Sequence, residues 1–126
     1  MTDKVVVLVT CSSGEEATRI AQALVSERLA ACVNISAPIR SIYRWQGEVL
    51  DDQEVLLVIK TARTLFDQVR RTVEKLHSYQ VPEVICLPII DGSPNYLNWL
   101  SGSLSGEAEA VPAAPAQSKP AKRKKR

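Results

Sequence analysis

Residues 1–104 predict an α+β domain, a ferredoxin-like βαββαβ sandwich with a C-terminal helix. Three observations carry that expectation. Apolar β-branched runs and helix-period stripes follow one another in the order strand, helix, strand, strand, helix, strand. Two long strand-like runs are joined across the single turn residue Gly47. After Leu104 the apolar residues thin to Val111 and several alanines, so the core has to be built before that point.

The first run, "KVVVLVTC", is continuous and β-branched, as expected of a strand covered on both faces. A helix follows. Ser12 or Ser13 can accept from its free N–H groups while Glu15 or Glu16 reaches back in a capping box. Ala17, Ile20, Ala21 and Leu24 then share one face. The segment "CVNISAPIRSIYRWQ" reads as a long strand broken by a bulge or kink at Ala37–Pro38, because proline cannot donate to a ladder. "EVLLVIKT" pairs back on it, so 33–61 forms a long hairpin. Thr64 is expected to cap a second helix whose buried stripe is Leu65, Phe66, Val69, Val73 and Leu76. "EVICLPII" is a fourth strand, and "PNYLNWL" a short last helix with Pro94 in its first turn.

The chain has 126 residues, 45% hydrophobic and 24% charged, which fits one globular domain able to bury a core without disulfides. Cys11, Cys32 and Cys86 are an odd set in apolar runs, and read as reduced, mostly buried thiols. The run "VVVLV" is far shorter than the roughly 20 residues of a membrane span. With no secretory pattern at the start, the expectation is a cytoplasmic protein with no membrane partner. Residues 1–104 hold 10 Lys/Arg against 12 Asp/Glu, whereas 105–126 hold 6 against 2. The basic character therefore sits in a disordered Ala/Pro-rich tail, 105–126, and nucleic acid or another polyanion would be held only weakly and only there.

The strings "ERLAACVNI", "YRWQGEVLDDQEVLLVIKT" and "YQVPEVICLPIIDGSPNYLNWL" together resemble the CutA family of divalent-cation tolerance proteins across nearly all of 4–104. The resemblance implies a tight homotrimer with a PII-like subunit fold, a link to copper and divalent-cation tolerance, and no required cofactor. It matches Ala31, Cys32, Val33 and Asn34; Tyr43, Trp45 and Gly47; Glu54 and Lys60; His77, Tyr79, Pro82 and Glu83; and Pro88, Tyr96 and Trp99. Trimer formation agrees with the hairpin length, since an overhanging strand pair needs its edges paired. The aromatic "YRW" near the hairpin tip then reads as interface in preference to a ligand cage.

Where some relatives have a late-strand cysteine and adjacent histidines for copper, this chain has Val9, with Cys11 two residues on, and Leu76–His77. Cys11 shares the face of Val9, so Cys11 and His77 could hold copper or another divalent cation; the competing reading is a histidine at a helix end or subunit junction. Asp51, Asp52 and Glu54 read as a solvated run that collects hard cations weakly at best. Tyr43, Trp45, Glu54, Lys60, Tyr79 and Glu83 are the candidates for a cleft between subunits, with Lys60 supplying charge for a small anion or metabolite. Alternatively Lys60 joins Glu54 and Glu83 in an intersubunit ion pair. Glycine-rich phosphate loops, a Gly-x-Ser-x-Gly elbow and catalytic metal spacing are absent from the sequence, so an enzyme is not expected. Two functions compete: a trimeric module for metal-ion homeostasis, and a PII-like small-molecule sensor.

Overall fold

The computed structural model describes residues 1–106. Four strands, β1 (Lys4–Cys11), β2 (Cys32–Trp45), β3 (Glu48–Ala62) and β4 (Val84–Pro88), form one antiparallel sheet in the order β2-β3-β1-β4. Helices α1 (Gly14–Ser26), α2 (Phe66–Leu76) and α3 (Pro94–Gly102) complete the expected βαββαβ arrangement and its extra helix. The expected tail of 105–126 lies, from residue 107 on, outside the described residues.

The core follows strand periodicity. Val5, Val7, Val9 and Cys11 face the helices, and their β3 partners Thr61, Ile59, Leu57 and Val55 are buried with them. Ala17, Ile20 and Leu24 of α1 and Val69 and Val73 of α2 close over this layer. The opposite face differs from the expectation of a strand covered on both sides: Val6 and Leu8 are only partly buried, and Ile85 and Leu87 beside them on β4 are 47% and 45% exposed. All three helices cannot shield two faces when α1 and α2 share one. An apolar sheet face is left open.

Local chemistry explains the joints. Ser13 caps α1 by accepting from the Glu16 N–H at 3.1 Å. Glu16 completes no reciprocal box with Ser13; its carboxylate reaches one residue further back, to the N–H and hydroxyl of Ser12. Pairing of β2 with β3 slips between Ile35 and Pro38, and there the Ser36 hydroxyl takes the Leu56 N–H that proline geometry leaves over. Gln46 and Gly47 both have positive φ, 50° and 84°, which makes the tight hairpin turn and keeps Trp45 opposite Glu48. Thr64 does not cap α2. The chain enters that helix through a 3₁₀ turn, Arg63–Leu65, anchored by the Arg63 N–H on the Asp3 carbonyl at 2.8 Å. Only Val55–Ala62 of β3 pair with β1, so the far half of the hairpin, beyond Val55, is a two-stranded ribbon projecting from the sheet.

Candidate functional site

The end of β1, the start of α1 and the end of α2 converge at the root of that ribbon. His77 stops α2: its N–H still donates to Val73, but its own backbone is extended, with ψ 144°. The imidazole therefore turns inward beneath β1 and is buried completely. Its Nε2 lies 2.7 Å from the Thr10 carbonyl, and its Nδ1 accepts the Tyr79 N–H at 3.0 Å. Those two partners fix the tautomer, with the proton on Nε2.

Two more donor atoms stand beside it. Cys11 Sγ, a Glu16 carboxylate oxygen and a His77 ring nitrogen lie within 4.8 Å of one another, and all three residues are buried. Burial, then the nearby carboxylates of Glu16 and Glu54, push the Cys11 thiol up to about 12. Glu16 goes the other way. Burial works against its charge, but hydrogen bonds from Ser78 and Ser12, with His77 nearby, outweigh it and hold the carboxyl below its ordinary value. Its Oε2 accepts the Ser78 N–H at 2.7 Å, which ties the loop after α2 to the head of α1.

The sequence pairing of Cys11 with His77 is thus brought together by the fold, and Glu16 is the residue it missed. A sequence signal existed but pointed elsewhere, since an acid three residues after a serine reads as a cap. Thiol, imidazole and carboxylate are a donor set that fits zinc or copper, and a bound ion would draw the proton off the thiol. Cys86 departs from the expected burial. It lies exposed on the edge strand β4, Cys32 is half-buried, and all three thiols are free.

Above this cluster, between the ribbon and the 78–83 loop, is an open groove of about 710 Å³. Tyr43, Trp45, Glu54, Tyr79 and Glu83 line it. Tyr79 connects groove and cluster, because its ring packs against His77 with centroids 4.7 Å apart and its hydroxyl donates to Glu54 at 2.7 Å. Burial first, then that carboxylate, raises the Tyr79 phenol well above its ordinary value. Within one subunit Lys60 stands apart from this group. It shares the open sheet face with Glu54 but lies six residues along β3, about 20 Å away at strand rise, and its ammonium bonds Asn34. No ion pair joins it to Glu54 or Glu83 among the described residues. Asp51 and Asp52, expected in a solvated run, are on β3 and engaged: Asp51 pairs with Arg40 at 2.7 Å and Asp52 accepts the Tyr43 hydroxyl at 2.5 Å.

Comparison with known proteins identifies this architecture. The divalent-cation tolerance protein CutA of Thermus thermophilus is 56% identical over 95 residues, 75% of this chain and 92% of its own length. A solved structure of the Thermus protein superposes with a TM-score of 0.79 at 52% identity, covering 81% of this chain and 99% of that one. The chloroplastic protein CutA of Arabidopsis thaliana is 48% identical over 99 residues, 79% of this chain, which spans only 54% of that relative's length. The periplasmic divalent cation tolerance protein CutA of Archaeoglobus fulgidus superposes with a TM-score of 0.77 at 37% identity, over 79% of this chain and 97% of that one.

These relatives overturn the cytoplasmic expectation, since proteins of the same fold carry chloroplastic and periplasmic names. The expectation rested on the lack of a membrane-length apolar run and of a secretory pattern, whereas relatives that share this folded domain carry different compartment names. What remains is narrower: no helix among the described residues is long and apolar enough to cross a membrane. The CutA1 divalent ion tolerance protein model matches residues 5–103, and with relatives of this identity the chain belongs to the CutA1 divalent ion tolerance family.

Proposed function

We propose that this protein acts as a homotrimeric, non-catalytic module in metal-ion homeostasis that takes up a divalent transition cation, copper in the first place, at Cys11, Glu16 and His77. The observation that carries the reading is the convergence of three buried donor atoms within 4.8 Å in a chain of a divalent-ion tolerance family. His77 Nδ1 and Glu16 already hold the Tyr79, Ser12 and Ser78 donors, so the ion-free cluster is a satisfied hydrogen-bonded structure that metal must partly replace. Affinity is therefore set against those bonds. The absence of catalysis is supported by the same geometry: a thiol pushed up to about 12 beside an imidazole whose Nδ1 is occupied is not an activated nucleophile.

Trimer formation is supported by the open apolar face of Val6, Leu8, Val58, Ile85 and Leu87 and by the projecting ribbon, which further copies would cover and pair. The test is a calorimetric copper(II) titration of the full chain beside His77→Ala and Glu16→Gln. Saturable binding near one ion per chain, weakened in both variants, supports the cluster. Weak heat identical in all three proteins removes it.

A second reading, small-molecule sensing in a PII-like manner, is favoured by the groove that holds five of the six cleft candidates. The sixth, Lys60, lies outside the groove of its own subunit and would supply its charge across a subunit junction.

A further inference from the structure

We propose that residues 78–83 form a strap that is seated on the donor cluster and displaced when a divalent cation enters it; this rests on the metal reading above and names its regulation. Of the two ring nitrogens of His77, Nε2 carries the proton it donates to the Thr10 carbonyl, the kind of outer bond that orients a metal-binding histidine. Nδ1 holds the remaining lone pair and faces Glu16 Oε1 at 3.9 Å, and the Cys11 thiol completes the set. That lone pair accepts the Tyr79 N–H, and a single lone pair serves a hydrogen or an ion, never both. Cation uptake and the seated position of Tyr79 therefore exclude each other.

The rest of the strap is tied at the same end. Ser78 donates its N–H to Glu16 Oε2 at 2.7 Å and meets the Ser12 hydroxyl at 3.5 Å, while the Tyr79 hydroxyl donates to Glu54 at 2.7 Å. Pairing with the sheet resumes only at Val84, opposite Val9. These bonds lie within one chain, so they hold whichever surfaces further copies cover. Two consecutive amides, those of Ser78 and Tyr79, thus rest on two of the three donor residues. A loop held down by the atoms that take the ion has two positions, and occupancy of the cluster biases between them. When Tyr79 leaves Nδ1, its ring contact with His77, centroids 4.7 Å apart, and its bond to Glu54 are disturbed with it. The output is a shift of Tyr79 at the root of the ribbon.

The experiment is calorimetric titration of the full chain with zinc sulfate, joined to hydrogen–deuterium exchange of the 78–83 segment with and without zinc. Exchange of that segment is expected to quicken at least about fivefold on loading. Tyr79→Phe, which keeps the ring and frees the strap from Glu54, is expected to bind zinc about fivefold more tightly. Ser12→Ala, which clears a hydroxyl from Glu16 Oε1, is expected to shift affinity the same way. A loop that merely supports the donors predicts the opposite sign, because loosening it would spread them. Circular dichroism checks that both variants are folded, and the wild-type exchange needs neither. Saturable zinc binding that is lost in His77→Ala, with exchange of 78–83 unchanged or with no tightening in either variant, overturns the strap and leaves the metal reading standing. No saturable zinc binding in the wild type overturns the metal reading and the strap with it.

Discussion

Replacing Glu16 isolates the bond set that holds the site together. Its carboxylate accepts the Ser12 N–H at 3.1 Å and the Ser12 hydroxyl at 3.2 Å on Oε1, and the Ser78 N–H at 2.7 Å on Oε2. In Glu16→Gln the remaining carbonyl oxygen still serves Ser12, but an amide NH₂ now faces the Ser78 N–H. One charge-assisted bond is lost, about 1.5 kcal/mol at the low end of its range, because Ser78 is exposed enough to find water. Glu16→Ala strips all three bonds and costs about 3 kcal/mol. The sign with pH is defined. A carboxyl held below its ordinary value of 4.5 contributes stability above that value and loses it as pH falls through the lower folded value. Urea unfolding at fixed protein concentration should therefore show a gap between wild type and Glu16→Gln that is full near neutral pH and closes in acid. A gap below about 0.5 kcal/mol at neutral pH, or one that does not change on acidification, refutes the reasoning.

A thiol reagent at mildly alkaline pH should label the exposed Cys86 first and leave buried Cys11, pushed up to about 12, untouched until unfolding; rapid labelling of Cys11 in the folded protein would contradict its assigned environment. Ile85→Asp with Leu87→Asp places charge on the open sheet face and should lower the mass seen by sedimentation, whereas an unchanged mass would mean that assembly uses another surface. Gly47→Ala, at φ 84°, should cost about 1 kcal/mol and lower the thermal midpoint, and an unchanged midpoint would show that the turn is not held as described. Zinc loading should release the Tyr79 amide from His77 Nδ1, seen as an upfield shift of that amide proton; a stationary resonance at saturation would place the ion elsewhere.

The fold was legible in the sequence because its signals are local. The β-branched runs of β1 and β3, the proline at the bulge and the glycine at the turn each act within a few residues. Thr64 misled for the same reason, since a side chain fit to cap is overruled when the Arg63 N–H finds the distant Asp3 carbonyl. The site was legible only in part. Cys11 and His77 stand out by residue type, but Glu16 joins them through contacts to Ser78, sixty-two positions away in sequence, and no local pattern encodes that distance. Lys60 is a different case. Matched motif positions put it with Glu54 across a subunit junction, and within one subunit a strand spends about 3.3 Å per residue, so six residues hold the two apart.

His77 sits where both proposed sites meet, and its bonding constrains how they relate. The imidazole has two nitrogens, and both are committed: Nε2 to the Thr10 carbonyl, Nδ1 to the Tyr79 N–H. Thr10 also lines the groove, and Tyr79 reaches through its hydroxyl to Glu54, the groove's buried carboxylate. An ion coordinated by either nitrogen has to break a bond that positions the groove wall, so the two sites cannot be energetically independent. Reciprocity follows from linkage: whatever a groove ligand gains or loses when metal enters, metal gains or loses equally when the groove is filled. A lone histidine at a helix end is ordinarily a dipole cap or a solvated base. Here the turn to ψ 144° at the C-cap points it inward instead, and that one backbone choice makes a buried donor cluster and an open groove parts of a single unit.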